Sequence, residues 1–267
     1  MTVFEQAAEA IKSADHLLIT AGAGMGVDSG LPDFRGNKGF WNAYPAFKNE
    51  FDFIQMANPK WFYNDPKMAW GFYGHRIMLY RNTEPHQGFQ ILREFAAQKE
   101  SHFIFTSNVD GHFQRAGFDP DKVVECHGTG LFLQCTLPCC SELYSSDDLD
   151  LEIDHEKCLA TSELPRCDCG AVMRPNILMF GDHFWLSHRT DEQQWRYTKW
   201  KESIDLNKLV TIEMGAGTAV PTVRFFSERH KRGSIIRINP REPQGPEKVI
   251  SIATGALEAL SKIKELL

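Results

Sequence analysis

Between His16 and Gly36 an apolar run breaks into a glycine-rich bend and then into a polar one. The residues are His16-Leu17-Leu18-Ile19-Thr20-Ala21-Gly22-Ala23-Gly24-Met25-Gly26, followed by Val27-Asp28-Ser29-Gly30-Leu31-Pro32-Asp33-Phe34-Arg35-Gly36. His16 to Thr20 reads as a short buried strand. Gly22, Gly24 and Gly26 supply a sharp exit and the close backbone approach that a pyrophosphate requires. Backbone N–H groups at the start of a following helix would face its negative charge. The same residues also suit a tight structural turn. The fingerprint G-x-G-x-x-G is not met, because position 27 is valine, and no acidic residue stands at a second strand end about 20 positions on. An ordinary dinucleotide dehydrogenase is therefore not expected. Asp33 and Arg35, set among Leu31, Phe34, Phe40 and Trp41, need partners there: either each other in a loop salt bridge, or a ligand.

A chain of 267 residues with six Trp and 19 Phe can bury a large interior or line an apolar cleft. Its formal net charge of −6 gives no reason to expect a nucleic acid as partner, and Arg229-His230-Lys231-Arg232 reads as a solvated helix end. Met1 to Gln6 lacks the basic and apolar regions of a signal peptide, and no apolar run nears 18 residues. A cytoplasmic protein with no membrane partner is expected, and a monomer is favoured.

Residues 3–14 have the spacing of an amphipathic helix, with Phe4, Ala7, Ala8 and Ile11 on one side. Residues 40–82 are aromatic and interrupted by Pro45, Pro59 and Pro66, which predicts short helices and loops ending in a helix over 67–81. A helix is predicted from His86 to Gln98. Strands are predicted at Phe103–Thr106, Val123–Cys126, Ile177–Phe180, Leu209–Ile212 and Ser234–Ile238, and a closing helix from Leu257 to Leu266. Alternation of strand and helix implies an α/β fold, a Rossmann-like parallel sheet with helices on both faces. Its crevice should lie beyond the C-terminal strand ends.

All seven cysteines fall between Cys126 and Cys169. Such crowding points to a metal rather than to a disulfide framework. Cys135 and Cys139, with Cys167 and Cys169, could hold zinc in a tetrahedron that stabilises a small inserted module. Neither pair has the usual C-x2-C spacing. Cys140 and Cys158 are alternative ligands, and free thiols in a reducing compartment are the other explanation.

Asn108 and Asp110 follow one predicted strand, and His127 follows another. A histidine at a strand mouth suits a general base near neutral pH. Asn108 and Asp110 equally suit a turn that bonds to its own backbone.

These segments together resemble the sirtuin (Sir2-like) family of NAD-dependent protein deacylases. The likeness rests on Gly22-Ala23-Gly24 with Ser29 to Arg35, Thr106 to Asp110, His127-Gly128, Cys169-Gly170 with Arg174-Pro175, and Phe180-Gly181-Asp182. It implies a Rossmann-like NAD-binding domain over 1–36, 83–133 and 176–267, and a small domain, helical and zinc-binding, over 37–82 and 134–175. It implies NAD held by Gly22, Ala23, Gly24, Asp33, Phe34, Arg35, Ser107, Asn108 and Asp110, and by Gly215-Ala216-Gly217, Asn239 and Ala256. His127 becomes the catalytic base, with Asn108 and Asp110 catalytic beside it. An acyl-lysine peptide lies along Ile177, Met179 and Phe180. The implied products are deacylated lysine, nicotinamide and O-acyl-ADP-ribose.

Three departures stand out. Ser107 replaces a glutamine, Asp110-Gly111-His112 replaces Asp-x-Leu-His, and the hydroxyl of a Gly-Thr-Ser segment is displaced to Thr218. The first motivates an alternative use of the same site for mono-ADP-ribosyl transfer or NAD hydrolysis; a non-catalytic NAD or ADP-ribose sensor is a further alternative. Tyr73 and Arg76, three apart, share one helical face. They resemble the Tyr-x-x-Arg signature of family members that remove succinyl, malonyl or glutaryl groups, in which arginine meets the distal carboxylate; outside that context they would be ordinary surface residues.

Overall fold

In the computed structural model residues 1–32, 40, 42–48 and 50–267 are described. Asp33, Phe34 and Arg35, expected at the cofactor, lie outside the described residues. Six strands form the main sheet: β1 (His16–Ala21), β2 (Ser101–Thr106), β3 (Val123–Glu125), β9 (Leu209–Met214), β10 (Ser234–Ile238) and β11 (Val249–Ile252). Their order is β11-β10-β9-β1-β2-β3, and every pairing is parallel. The order reverses between β1 and β9, so the crevice of this doubly wound sheet opens at Ala21 and Met214.

Alternation along β1 fixes the two faces. Leu17, Ile19 and Ala21 join a core with the helices Val3–Ser13, Gln87–Ala97 and Ala256–Lys264. Leu18 enters another with Tyr197 and Phe226, from the helices His188–Ser203 and Thr222–Glu228. A third core holds Phe62, Trp70, Phe72 and Tyr73 from the 53–82 region together with Leu133, Leu151 and Ile177. It packs on a three-stranded antiparallel sheet in the order β5-β4-β8 (β4 Gly128–Cys135, β5 Tyr144–Ser145, β8 Met173–Ile177). The hairpin of β6 (Ile153–Asp154) and β7 (Leu159–Ala160) lies against the helix Pro66–Asn82. There a Cβ on Gly71 would meet the Cys158 carbonyl oxygen at 1.9 Å.

The predicted helices and five of the predicted strands correspond to elements within a few residues. Ile177–Phe180 is a correction. The strand ends at Ile177, and the next residues leave the ladder because their backbone bonds diverge: Leu178 N–H donates to His127 O (2.9 Å) and Phe180 N–H to Ala57 O (2.9 Å). The helix expected after the glycine turn is a 3-10 helix, Ala23–Ser29. Among the described residues no helix is long and apolar enough to cross a membrane.

Candidate active site

A cavity of about 1060 Å³ runs from the β1–β9 crevice to the helix Pro66–Asn82. That volume is at the upper end of the ordinary range for ligand sites. Gly22 and Ala23 form one end of it with Gly215, Ala216, Gly217 and Thr218. The two loops meet backbone to backbone: Gly22 N–H donates to Met214 O (2.9 Å) and Gly24 N–H to Gly215 O (3.0 Å). Gly215 has φ +61°, and a Cβ there would stand 2.3 Å from Met25 N. Side chains are excluded from this seam, so a bound phosphate could approach the main chain directly.

Ser107, Asn108 and Asp110 line the middle of the cavity. Their loop is held by Ser107 N–H on Ala21 O (3.1 Å), Asn108 N–H on Thr106 Oγ1 (3.0 Å) and His112 N–H on Asp110 Oδ1 (2.9 Å). Asp110 thus makes the turn bond expected of it while lining the cavity. His127 lines the same wall between β3 and β4. Gly128 follows it at φ +71°, where a Cβ would stand 2.0 Å from Asn176 O, so β8 presses on the turn that carries the imidazole. Glu125 braces the strand end: its N–H donates to Gln193 Oε1 (3.0 Å), and its carboxylate meets Arg189 at 2.5 Å. Burial holds the His127 imidazole below its ordinary pKa, hence neutral at physiological pH.

At the far end stand Tyr73, Arg76 and Tyr80, with Ile177, Met179 and Phe180 along the opposite wall. The Tyr73 hydroxyl is buried and meets no hydrogen-bond partner among the described residues, which is costly unless a ligand supplies one. Arg76 is 8% exposed; its guanidinium carbon lies 5.3 Å from the Phe72 ring centroid and 5.7 Å from that of Tyr73. Gly24, Asn239 and Ala256 are not among the residues that line the cavity. Asn239 Nδ2 donates to Ala216 O (2.8 Å), and its Oδ1 accepts the N–H groups of Arg241 and Glu242 (3.0 Å each), so it shapes the loop at whose edge Arg241 and Glu242 reach the cavity. Tyr80, Phe53 and Ile54 also line the cavity and were not read from sequence; Tyr80 follows Arg76 by four residues, a spacing that could have marked it.

Segment 178–184 is anchored by a buried ion pair. Arg174 Nη1 and Nη2 reach the two Asp182 oxygens at 2.7 and 2.9 Å, with side-chain exposures of 1% and 0%. Removing one partner strands the other charge, at a cost of about 3–5 kcal/mol. Asp182→Ala should lower stability by that amount in urea unfolding; a loss under about 1 kcal/mol would contradict the anchoring role.

Cys135, Cys139, Cys167 and Cys169 bring their sulfurs within 4.8 Å of one another. Cys135 and Cys169 are 3.6 Å apart, Cys139 and Cys167 3.5 Å. Zinc with sulfurs at about 2.3 Å sets tetrahedral neighbours about 3.8 Å apart, so the four thiols fit that ion with little adjustment. The Cys169 backbone N–H draws the Cys167 thiol down to about 7. Contact with Cys169 first of all pushes Cys139 up, and burial pushes Cys135 up. A divalent ion would stabilise all four thiolates. Cys140 lies instead by the Tyr144 hydroxyl (3.9 Å), and Cys158 is buried beside the Pro66–Asn82 helix.

Residues 22–229 match the Sir2 family. The chain belongs to that family. An NAD-dependent protein deacetylase of Saccharolobus solfataricus is 34% identical over 180 residues, which is 67% of this chain and 66% of that protein, just under two thirds of it. An NAD-dependent protein deacylase of Aquifex aeolicus is 30% identical over 230 residues, 85% of this chain and 84% of that one. Among solved structures, a mutant Sir2 homologue in complex with ADP-ribose matches with a TM-score of 0.73 at 27% identity, covering 98% of this chain and 96% of its own.

Proposed function

We propose that this Sir2-family chain is an NAD-dependent protein-lysine deacylase that favours acidic acyl groups. The observation that carries the reading is the single cavity shared by the glycine seam, the neutral His127 imidazole and the Tyr73–Arg76 pair. The NAD and ADP-ribose chemistry of the similar proteins supports it. Bound NAD+ would supply an electrophilic ribose carbon and nicotinamide as leaving group. The Gly22–Gly24 and Gly215–Gly217 backbones would receive the phosphates, while Asn108 and Asp110 would orient the nicotinamide end. His127, neutral and on the cavity wall, would take a proton from a ribose hydroxyl. Ile177 to Phe180 would receive the peptide main chain, a mode that asks little of its sequence. Zinc on the four cysteines would hold the small sheet and take no part in the reaction, because a four-thiolate site leaves no open position.

The acyl preference follows from charge. A buried guanidinium next to a tyrosine hydroxyl that meets no partner among the described residues suits a carboxylate, which forms charge-assisted and often bidentate bonds with arginine. A neutral acetyl group carries no charge for the guanidinium to meet. Mass spectrometry of products from NAD+ with acetyl-, succinyl-, malonyl- and glutaryl-lysine peptides tests the reading, and free ADP-ribose formed without peptide would favour NAD hydrolysis instead. Arg76→Met should reduce desuccinylation by about tenfold or more beyond any loss on acetyl peptide, the effect of one hydrogen bond to a charged group. Equal losses on both peptides would remove the specificity claim.

A further inference from the structure

Arg76 does not stand alone on its helix. Its Nε donates to the Tyr80 hydroxyl at 2.9 Å, and both side chains are buried, 8% and 7% exposed. Tyr80 follows by one helical turn and lines the same cavity. Its backbone carbonyl accepts from Arg115 Nη1 (2.7 Å), which ties the C-terminal end of the Pro66–Asn82 helix to the short helix after Asp110. Arg76 is thus tethered, through Tyr80, to the short helix that follows Asp110.

A guanidinium can present a carboxylate with either of two planar edges, Nη1 with Nη2 or Nε with Nη2. A hydroxyl that occupies Nε removes the second edge from use. It also keeps its own hydrogen, since the oxygen is the acceptor in this bond, and that hydrogen can be donated to an anion in the cavity. We infer that Tyr80 is a positioning residue for acyl selectivity: it fixes which edge of Arg76 meets the distal carboxylate, and so sets both the strength of acidic-acyl binding and the acyl length that fits.

This inference rests on the acidic-acyl reading and is tested so that the two can fail separately. Kinetic constants are measured for wild type and Tyr80→Phe on matched malonyl-, succinyl-, glutaryl- and acetyl-lysine peptides. The phenyl ring keeps the packing, and thermal unfolding checks that the fold is retained. The expected result is a rise in KM of about tenfold or more for the best acidic acyl group beyond any change on acetyl peptide, together with a flatter dependence on acyl length. In an Arg76→Lys background, which has no Nε edge to fix, Tyr80→Phe should add less than about twofold. If wild type shows no preference for acidic acyl groups, the reading itself falls. If wild type shows that preference and Tyr80→Phe alters all four substrates alike, or acts with full effect in the Arg76→Lys background, the role given to Tyr80 is overturned.

Discussion

Replacing His127 with asparagine should lower kcat for deacylation by about 10²–10⁴-fold, the usual contribution of a positioned general base. NAD+ binding, measured by calorimetry, should change little, because the glycine seam at Gly22 and Gly215, proposed to receive the phosphates, is built from backbone. The pH profile gives an independent check. Burial holds the His127 pKa below its ordinary value of 6.5, so the reactive neutral form persists below that pH and is lost only as pH falls through the lowered value. In wild type the acid limb of kcat/KM should therefore lie below 6.5; in the asparagine variant that limb should vanish from the residual rate. A variant with undiminished kcat, or a limb above 6.5 that survives the substitution, would take His127 out of the chemistry.

What was legible in sequence was local. The strand–glycine turn announced itself because a buried strand and a close backbone approach both leave marks within ten residues, and β1 with Gly22 appears where those marks lie. Tyr73 and Arg76 were legible because helical spacing is fixed at three and four. Other parts depended on contacts between distant segments. The helix His188–Ser203 is polar along most of its length and exposes Trp195, so its apolar pattern is weak; it is held partly through Gln193 and Arg189 on Glu125. Ile177–Phe180 read as one strand because its composition is uniformly apolar. It divides after Ile177 because the Leu178 and Phe180 N–H groups go to acceptors on two distant segments, His127 and Ala57, which no local pattern records. The resemblance puts Asn239 at the ligand, while the bonds of its side chain to Ala216 O and to the Arg241–Glu242 turn come from segments that sequence spacing does not connect. The choice of Cys139 over Cys140, adjacent in sequence, is likewise made by the fold, which turns one sulfur to Cys167 and the other to Tyr144.

The cysteine cluster should show the largest effect on stability. From Thr136 to Val172 the buried apolar side chains are Leu151, Cys158, Ala160 and Cys167, too few to offset the backbone entropy of so long a segment. Zinc bound by four thiolates is worth about 10–16 kcal/mol in small modules, comparable to the whole stability of an ordinary domain. The purified protein should carry one zinc per chain by elemental analysis. Cys167→Ser, or chelation of the wild-type metal, should unfold the β5-β4-β8 sheet while the parallel sheet survives, visible as loss of hydrogen-exchange protection in 128–135 and 173–177 before 16–21 and 209–214. Because Met173 pairs with Cys135 and the strand runs straight on to Ile177 at the cavity wall, peptide turnover should fail together with that protection. NAD+ binding, which draws on the β1–β9 crevice, should outlast both. A Cys167→Ser protein with unchanged protection in β4 and β8 would mean that the four sulfurs meet without holding the module together.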